Sequence, residues 1–151
     1  MTVFKLIHLL AALVWVGGLF FSYVVLRPAA VEVLQPPERL RLWNAVFRRF
    51  FNLLWSVIGA VLITGLYMIY QNGGLAQAPH FIHLMLILGV FMTAVFCYVF
   101  FACFVPFSLH ISKERWKEAA SILSKIRHLV ALNLILGVST IIVAKVWMLW
   151  G

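Results

Sequence analysis

Four long apolar runs, separated by short polar connections, dominate the pattern of this chain. The runs are continuous, and they lack the alternation of polar and apolar residues that marks a strand of a membrane barrel. A helix needs about 20 apolar residues to cross the hydrocarbon core of a bilayer. The pattern therefore predicts an all-α integral membrane protein, an up-down bundle of four helices. The predicted spans are residues 4–26, 50–70, 79–107 and 129–150.

Composition supports the same class of protein. Of the 151 residues, 65% are hydrophobic and 11% are charged, and a soluble domain of this size cannot bury so much apolar surface. The connections are too short for a second domain, so residues 1–151 are predicted to form one. The first run is too long for a signal peptide and has no small-residue cleavage site before an expected turn at Arg27-Pro28.

The basic residues are distributed unequally between the two sides of the predicted bundle. Ten of the 12 lie in or beside the first and third connections, and only Lys5 and Lys145 lie toward the other side. Because positive residues are retained in the cytoplasm, the pattern predicts a bacterial inner membrane protein with both termini in the periplasm. The basic patch favours anionic lipid headgroups of the bilayer as partners, and not nucleic acid. The ten residues are Arg27, Arg39, Arg41, Arg48, Arg49, Lys113, Arg115, Lys117, Lys125 and Arg127.

Both basic connections are predicted to contain short interfacial helices that continue into the next span. The first would begin at Pro36-Pro37, and the second at Lys113 with Ser112 as its N-cap. The connection at residues 71–78 contains Asn-Gly-Gly, which predicts a short turn.

Two histidines inside the predicted spans are the strongest candidates for chemistry. His8 and His83 each lie about one turn from the periplasmic start of an odd-numbered helix, so they share one depth. The first and third helices of an up-down bundle are diagonal neighbours, which suits a b-type haem held between two imidazoles. Small residues near His8, beside Trp15, would leave space for the macrocycle. Neither cysteine belongs to a haem attachment motif, so the haem would be noncovalent.

Further polar residues could contact such a cofactor. His80 could replace His83 as a ligand, although its position near the interface favours a propionate contact. Lys5 and Lys145, with His80 or Tyr70, are predicted to approach the propionates. His110 and His128 lie among basic residues at the cytoplasmic side, where solvated histidines are common, and they are assigned no role.

Several segments, taken in order, resemble the CopD-like family of membrane proteins. They are His8 to Phe21, Leu26 to Ala29, Val46 to Phe51, His83 to Met85 and Ile126 to Leu134. The resemblance implies copper handling or import, and the distantly similar HemJ proteins act in oxidation of protoporphyrinogen. It also implies that His8 and His83 are haem ligands, with Arg48, Arg127 and Asn133 as supporting polar residues.

Three functions remain open on the sequence alone. The leading one is a b-type cytochrome, an oxidoreductase or electron carrier between a membrane donor such as quinol and a periplasmic redox partner. The second is a copper-binding or copper-import protein that uses the same histidines. The third is a non-catalytic assembly subunit or a HemJ-like oxidase, and a homodimer also remains open. No predicted span contains Asp or Glu, which argues against carboxylate-based hydrolysis in the membrane.

Overall fold

A computed structural model describes the backbone of residues 2–150 and the side chains of residues 2–146. Within that part of the chain there is no strand, and four long helices account for nearly all residues. Each is long and apolar enough to cross a membrane, which confirms the predicted fold class. The helices are α1 (Thr2–Val33), α2 (Pro36–Gln71), α3 (His80–Ser112) and α4 (Trp116–Trp150), and a 3-10 turn at Leu75–Gln77 precedes α3.

The helices are longer than the apolar runs that predicted them. α2 begins at Pro36 and continues without a break into its span, as predicted for the first basic connection. The second basic connection differs, because Ser112 ends α3 and α4 begins at Trp116. The prediction of a helix from Lys113 capped by Ser112 is therefore wrong. Glu114 has a φ of 55°, a left-handed conformation that interrupts a right-handed helix.

Two prolines lie inside helices and do not end them. α1 contains a π-helical segment at Phe21–Leu26 and α3 contains one at Val99–Phe104, and each ends two residues before a proline. Proline lacks an N–H and its ring clashes with the carbonyl four residues earlier, so a widened turn allows the helix to continue. The predicted turn at Arg27-Pro28 is wrong for this reason. In an apolar environment a continuous helix also keeps the backbone hydrogen-bonded.

The helices pack as two hairpins, with α1 along α2 and α3 along α4. The hairpins join where α4 contacts α1 and α2, and where α3 contacts α2. α1 and α3 are therefore the diagonal pair. Two glycines allow close approach: a Cβ on Gly18 would overlap the ring of Phe50, and one on Gly137 would lie 2.7 Å from Val16 and 3.2 Å from Met92.

The densest packing lies in the half of the bundle nearer the basic connections. There Phe47 and Phe51 stack with ring centroids 5.2 Å apart, and Phe104 meets Phe51 edge-on at 5.2 Å. At the opposite end, no residue in 2–10, 65–71, 80–91 or 138–146 is buried. We call this opposite end, which carries His8, His80 and His83, the histidine end. Its helices are packed more openly than those of the basic half.

Candidate metal site

His8 lies on the side of α1 that faces α2. Its Nδ1 is 2.9 Å from Oγ1 of Thr64, a buried residue of α2. The Thr64 hydroxyl is in turn 2.5 Å from the carbonyl oxygen of Ala60, one turn earlier in the same helix. The three groups form a short hydrogen-bonded chain from the imidazole to the backbone.

The direction of these hydrogen bonds assigns the tautomer of His8. Thr64 has one hydroxyl hydrogen, and two oxygens 2.5 Å apart would repel unless that hydrogen lay between them, so Thr64 donates to Ala60. The Thr64 oxygen must then accept the Nδ1–H of His8. In the neutral imidazole this leaves Nε2 with a free lone pair. Metal-binding histidines are oriented in the same way, by a hydrogen bond from the nitrogen that does not bind the metal.

The His8 ring also lies close to the backbone of α2 at Gly65. A Cβ added at Gly65 would lie 3.2 Å from Cε1 and 3.6 Å from Nδ1 of His8. Glycine at this position therefore lets the imidazole approach the helix closely. One turn earlier in α1, the rings of Phe4 and Tyr67 pack with centroids 4.2 Å apart. These contacts hold His8 against α2 with little freedom to rotate.

His83 offers a second imidazole in the same protonation pattern. Its Nδ1 is 3.2 Å from the carbonyl oxygen of Pro79, and because a carbonyl can only accept, Nδ1 donates and Nε2 is free. The His80 ring lies 6.4 Å from that of His83, centroid to centroid. His83 is half-buried and His80 is exposed.

The structure does not join these histidines into a closed metal cage. The described contacts of His8 are with α2, and those of His83 are with its own helix and with His80. Within the described residues, no group of three or more His, Cys, Asp or Glu side chains could hold a metal ion. What the histidine end provides is two imidazoles with free Nε2 atoms on diagonal helices of an openly packed bundle.

Two buried polar atoms deeper in the bundle have no protein partner. Trp15 is 3% exposed and its Nε1–H is unpaired, and Asn133 is 4% exposed with an unpaired Oδ1. The Asn133 amide nitrogen donates to the carbonyl of Met92 at 3.2 Å. Buried polar groups normally have a partner, so each of these two atoms has unused hydrogen-bonding capacity.

The remaining predicted site residues lie apart from His8 or at the surface. Lys5 is exposed at the histidine end, and Arg48 is exposed at the basic end. Arg48 is 16 residues from Thr64 in one helix, which corresponds to about 24 Å. Arg127 also lies at the basic end, in the first turns of α4. Arg48 and Arg127 therefore cannot touch a ligand held by His8.

Thr64 and Gly65 were not identified from the sequence, although one signal was available. Thr64 is seven residues before the end of α2 and His8 is six residues after the start of α1, so the two lie at matching depths in antiparallel helices. A polar residue opposite a histidine at the same depth indicates a hydrogen-bond partner. The rotation of each helix about its axis was needed to establish the contact.

Comparison with known families identifies the chain. The family model described as "Copper resistance protein D" matches residues 44–147, more than half of the sequence. The chain belongs to the CopD family. This CopD match confirms the family resemblance and includes Thr64, Gly65, His83 and Asn133, whereas His8 precedes its first residue. No curated protein and no solved structure gave a significant match to the chain.

Proposed function

We propose that this CopD-family protein handles copper in the membrane and that His8 contacts the ion through Nε2. The observation that carries the proposal is the hydrogen bond from His8 Nδ1 to Thr64, which fixes the tautomer and the direction of the ring. Imidazole is a ligand that copper accepts, and a fixed imidazole loses little freedom when it binds. In this function copper is the cargo of the protein and not a resident cofactor.

His83 is the proposed second ligand, because its Nε2 is also free and its helix is diagonal to that of His8. Met68 follows Thr64 by one turn in α2, so a thioether lies on the face of α2 that carries Thr64. Soft sulfur ligands favour Cu(I). With the basic connections in the cytoplasm, the histidine end would meet copper on the periplasmic side.

A b-type haem is the second candidate, and the open packing of the histidine end is the observation that favours it. The histidine end is openly packed, and it carries two imidazoles with free Nε2 atoms on diagonal helices, the donor set of a bis-histidine haem. Haem would supply one-electron chemistry, for electron transfer from a quinol to a periplasmic acceptor. His8 and His83 would hold the haem, and Lys5 and His80 would lie near its propionates.

One preparation separates these functions. The protein is purified in detergent from cells replete in copper and haem, with a tag that contains no histidine. Copper content per protein and the visible spectrum, oxidised and reduced, are then measured. The same measurements are made on His8→Ala and on His128→Ala, whose imidazole is exposed at the opposite end and contacts the Ser124 carbonyl.

The proposal expects stoichiometric copper in the wild type and in His128→Ala, loss of copper in His8→Ala, and no haem bands. A Soret band that His8→Ala weakens would replace copper with the haem function. If none of the three proteins contained copper or haem, both proposed functions would be contradicted. An assembly role would then remain.

A further inference from the structure

The basic end of the bundle contains a cavity of about 210 Å³ between α1, α2 and α4. Three arginines from three different helices line it: Arg27, Arg39 and Arg127. The cavity also extends inward, because Phe47 lines it eight residues beyond Arg39 in α2, or about 12 Å along the helix. It therefore has a basic mouth and an apolar interior that includes Trp43.

These three arginines differ from the other basic residues at this end. Each of them is half-buried, whereas the other seven lysines and arginines of the basic connections are exposed. Solvated surface charges are common and need no ligand, but three guanidinium groups partly withdrawn from water repel one another and carry a desolvation cost.

No carboxylate lines the cavity itself. Glu38 is exposed, and Glu32 is exposed in an adjoining pocket that it shares with Arg27, with which it forms no ion pair. In the described part of the chain the one ion pair joins Arg41 to Glu114, outside the cavity. Arg27, Arg39 and Arg127 therefore form no ion pair within the described part of the chain, which leaves their charge available to an external anion.

Residues of α1 form one wall of the cavity and position Arg27 in it. Ser22 and Tyr23 line the cavity from the π-helical segment, and π segments are frequent at functional sites. The guanidinium of Arg27 lies 5.2 Å from the centroid of the Tyr23 ring, a cation–π contact that fixes its position.

We propose that this cavity binds the phosphate group of an anionic membrane lipid, with the three arginines on the phosphate and the start of the lipid's apolar part against Trp43 and Phe47. Arginine suits phosphate because its planar fork donates two parallel hydrogen bonds. Basic pockets between membrane helices on the cytoplasmic side bind acidic headgroups in this way. At about 210 Å³ the cavity is smaller than the roughly 300–1,000 Å³ of pockets for drug-sized ligands, so it suits a small anionic group better than a haem. This proposal is independent of copper, because the cavity and His8 lie at opposite ends.

The test uses the whole chain, stripped of lipid in a neutral detergent and free of phosphate buffer. Phosphatidylglycerol, phosphatidylcholine and inorganic phosphate are titrated separately, while thermal unfolding is followed and bound lipid is counted by native mass spectrometry. The variant is Arg39→Gln with Arg127→Gln. The matched control is Arg48→Gln with Arg49→Gln, which removes the same charge from exposed positions at the same end.

For the wild type and the control we expect one phosphatidylglycerol per protein and a raised unfolding temperature, with weak binding of phosphatidylcholine. The cavity variant should bind phosphatidylglycerol about tenfold or more weakly, because it loses two arginine–phosphate contacts. If inorganic phosphate bound saturably and as tightly as phosphatidylglycerol, the cavity would be a site for a soluble anion, and the proposal of a lipid ligand would be overturned. The proposal would be overturned if the control lost as much affinity as the cavity variant. It would also be overturned if wild-type protein bound both lipids equally, a result that needs no variant to fold.

Discussion

Thr64 is the residue on which the proposed role of His8 depends most directly. Its hydroxyl accepts the Nδ1–H of His8 and donates to Ala60, so one side chain sets both the tautomer and the direction of the imidazole. Groups that orient a metal ligand without touching the metal commonly change affinity strongly when they are removed.

We therefore predict that Thr64→Val lowers copper affinity by about 10-fold to 100-fold while the protein still folds, since valine keeps the shape of threonine. Affinity is measured by competition with a copper chelator of known strength. The control is Thr93→Val, because the Thr93 hydroxyl bonds only the Gly89 carbonyl of its own helix, at 2.8 Å. Equal losses in the two variants would argue against a role for Thr64 through His8.

Gly65 provides a second test of the proposed role of His8. An alanine there would place its Cβ 3.2 Å from Cε1 of His8, so the imidazole would have to shift by a few tenths of an ångström. We expect Gly65→Ala to weaken copper binding by less than about tenfold. Gly59→Ala, in the same helix with nothing within 4 Å of the added Cβ, should leave affinity unchanged. The chelator competition used for Thr64 measures both.

Between elements, the pairing of α1 with α2 depends on a glycine contact. A Cβ on Gly18 would overlap the ring of Phe50, whereas a Cβ on its neighbour Gly17 would meet nothing within 4 Å. Overpacking of a close contact costs about 1–3 kcal/mol, so Gly18→Ala should lower the free energy of unfolding by that amount. Gly17→Ala should leave it unchanged or raise it by up to about 1 kcal/mol, because alanine is the better helix former. Unfolding of the detergent-solubilised variants in a denaturant series measures the difference, and equal stability would contradict the described packing.

The observed helix ends show which local sequence rules predicted the structure and which did not. The lengths of the apolar runs identified four membrane-length helices correctly, because the thickness of the bilayer sets the length that a spanning helix needs. Pro28 suggested a turn, yet α1 passes through it by way of a π segment. Rules derived from soluble proteins treat proline as a stop because water can satisfy a broken helix, whereas a membrane cannot.

The contacts of the site were less predictable than the spans. His8 was identified by its depth in the membrane, but its partner Thr64 depends on the rotation of α1 and α2 about their axes. A helix that is apolar on every side has no amphipathic face to indicate that rotation. The convergence of Arg27, Arg39 and Arg127 on one cavity was also missed, because it depends on how three helices pack together.

At the scale of the whole molecule, the charge asymmetry predicts that the basic connections face the cytoplasm. A single cysteine placed at Asn72, in the connection between α2 and α3, should react with a membrane-impermeant maleimide in intact cells. One placed at Ser112, the last residue of α3, should react only after the inner membrane is permeabilised. Both are made in a background without Cys97 and Cys103. The reverse pattern would place the histidine end in the cytoplasm and would contradict copper binding from the periplasm.

Nε2 of His8 is the proposed copper-binding atom. X-ray absorption at the copper edge of the copper-loaded protein tests it directly, because imidazole ligands give a recognisable multiple-scattering pattern. We predict this pattern in the wild type and in His128→Ala. His8→Ala should lose most of its copper, and the ion that it retains at excess copper should show one imidazole fewer. Copper with unchanged imidazole scattering in His8→Ala would contradict the claim and show that another residue holds the ion.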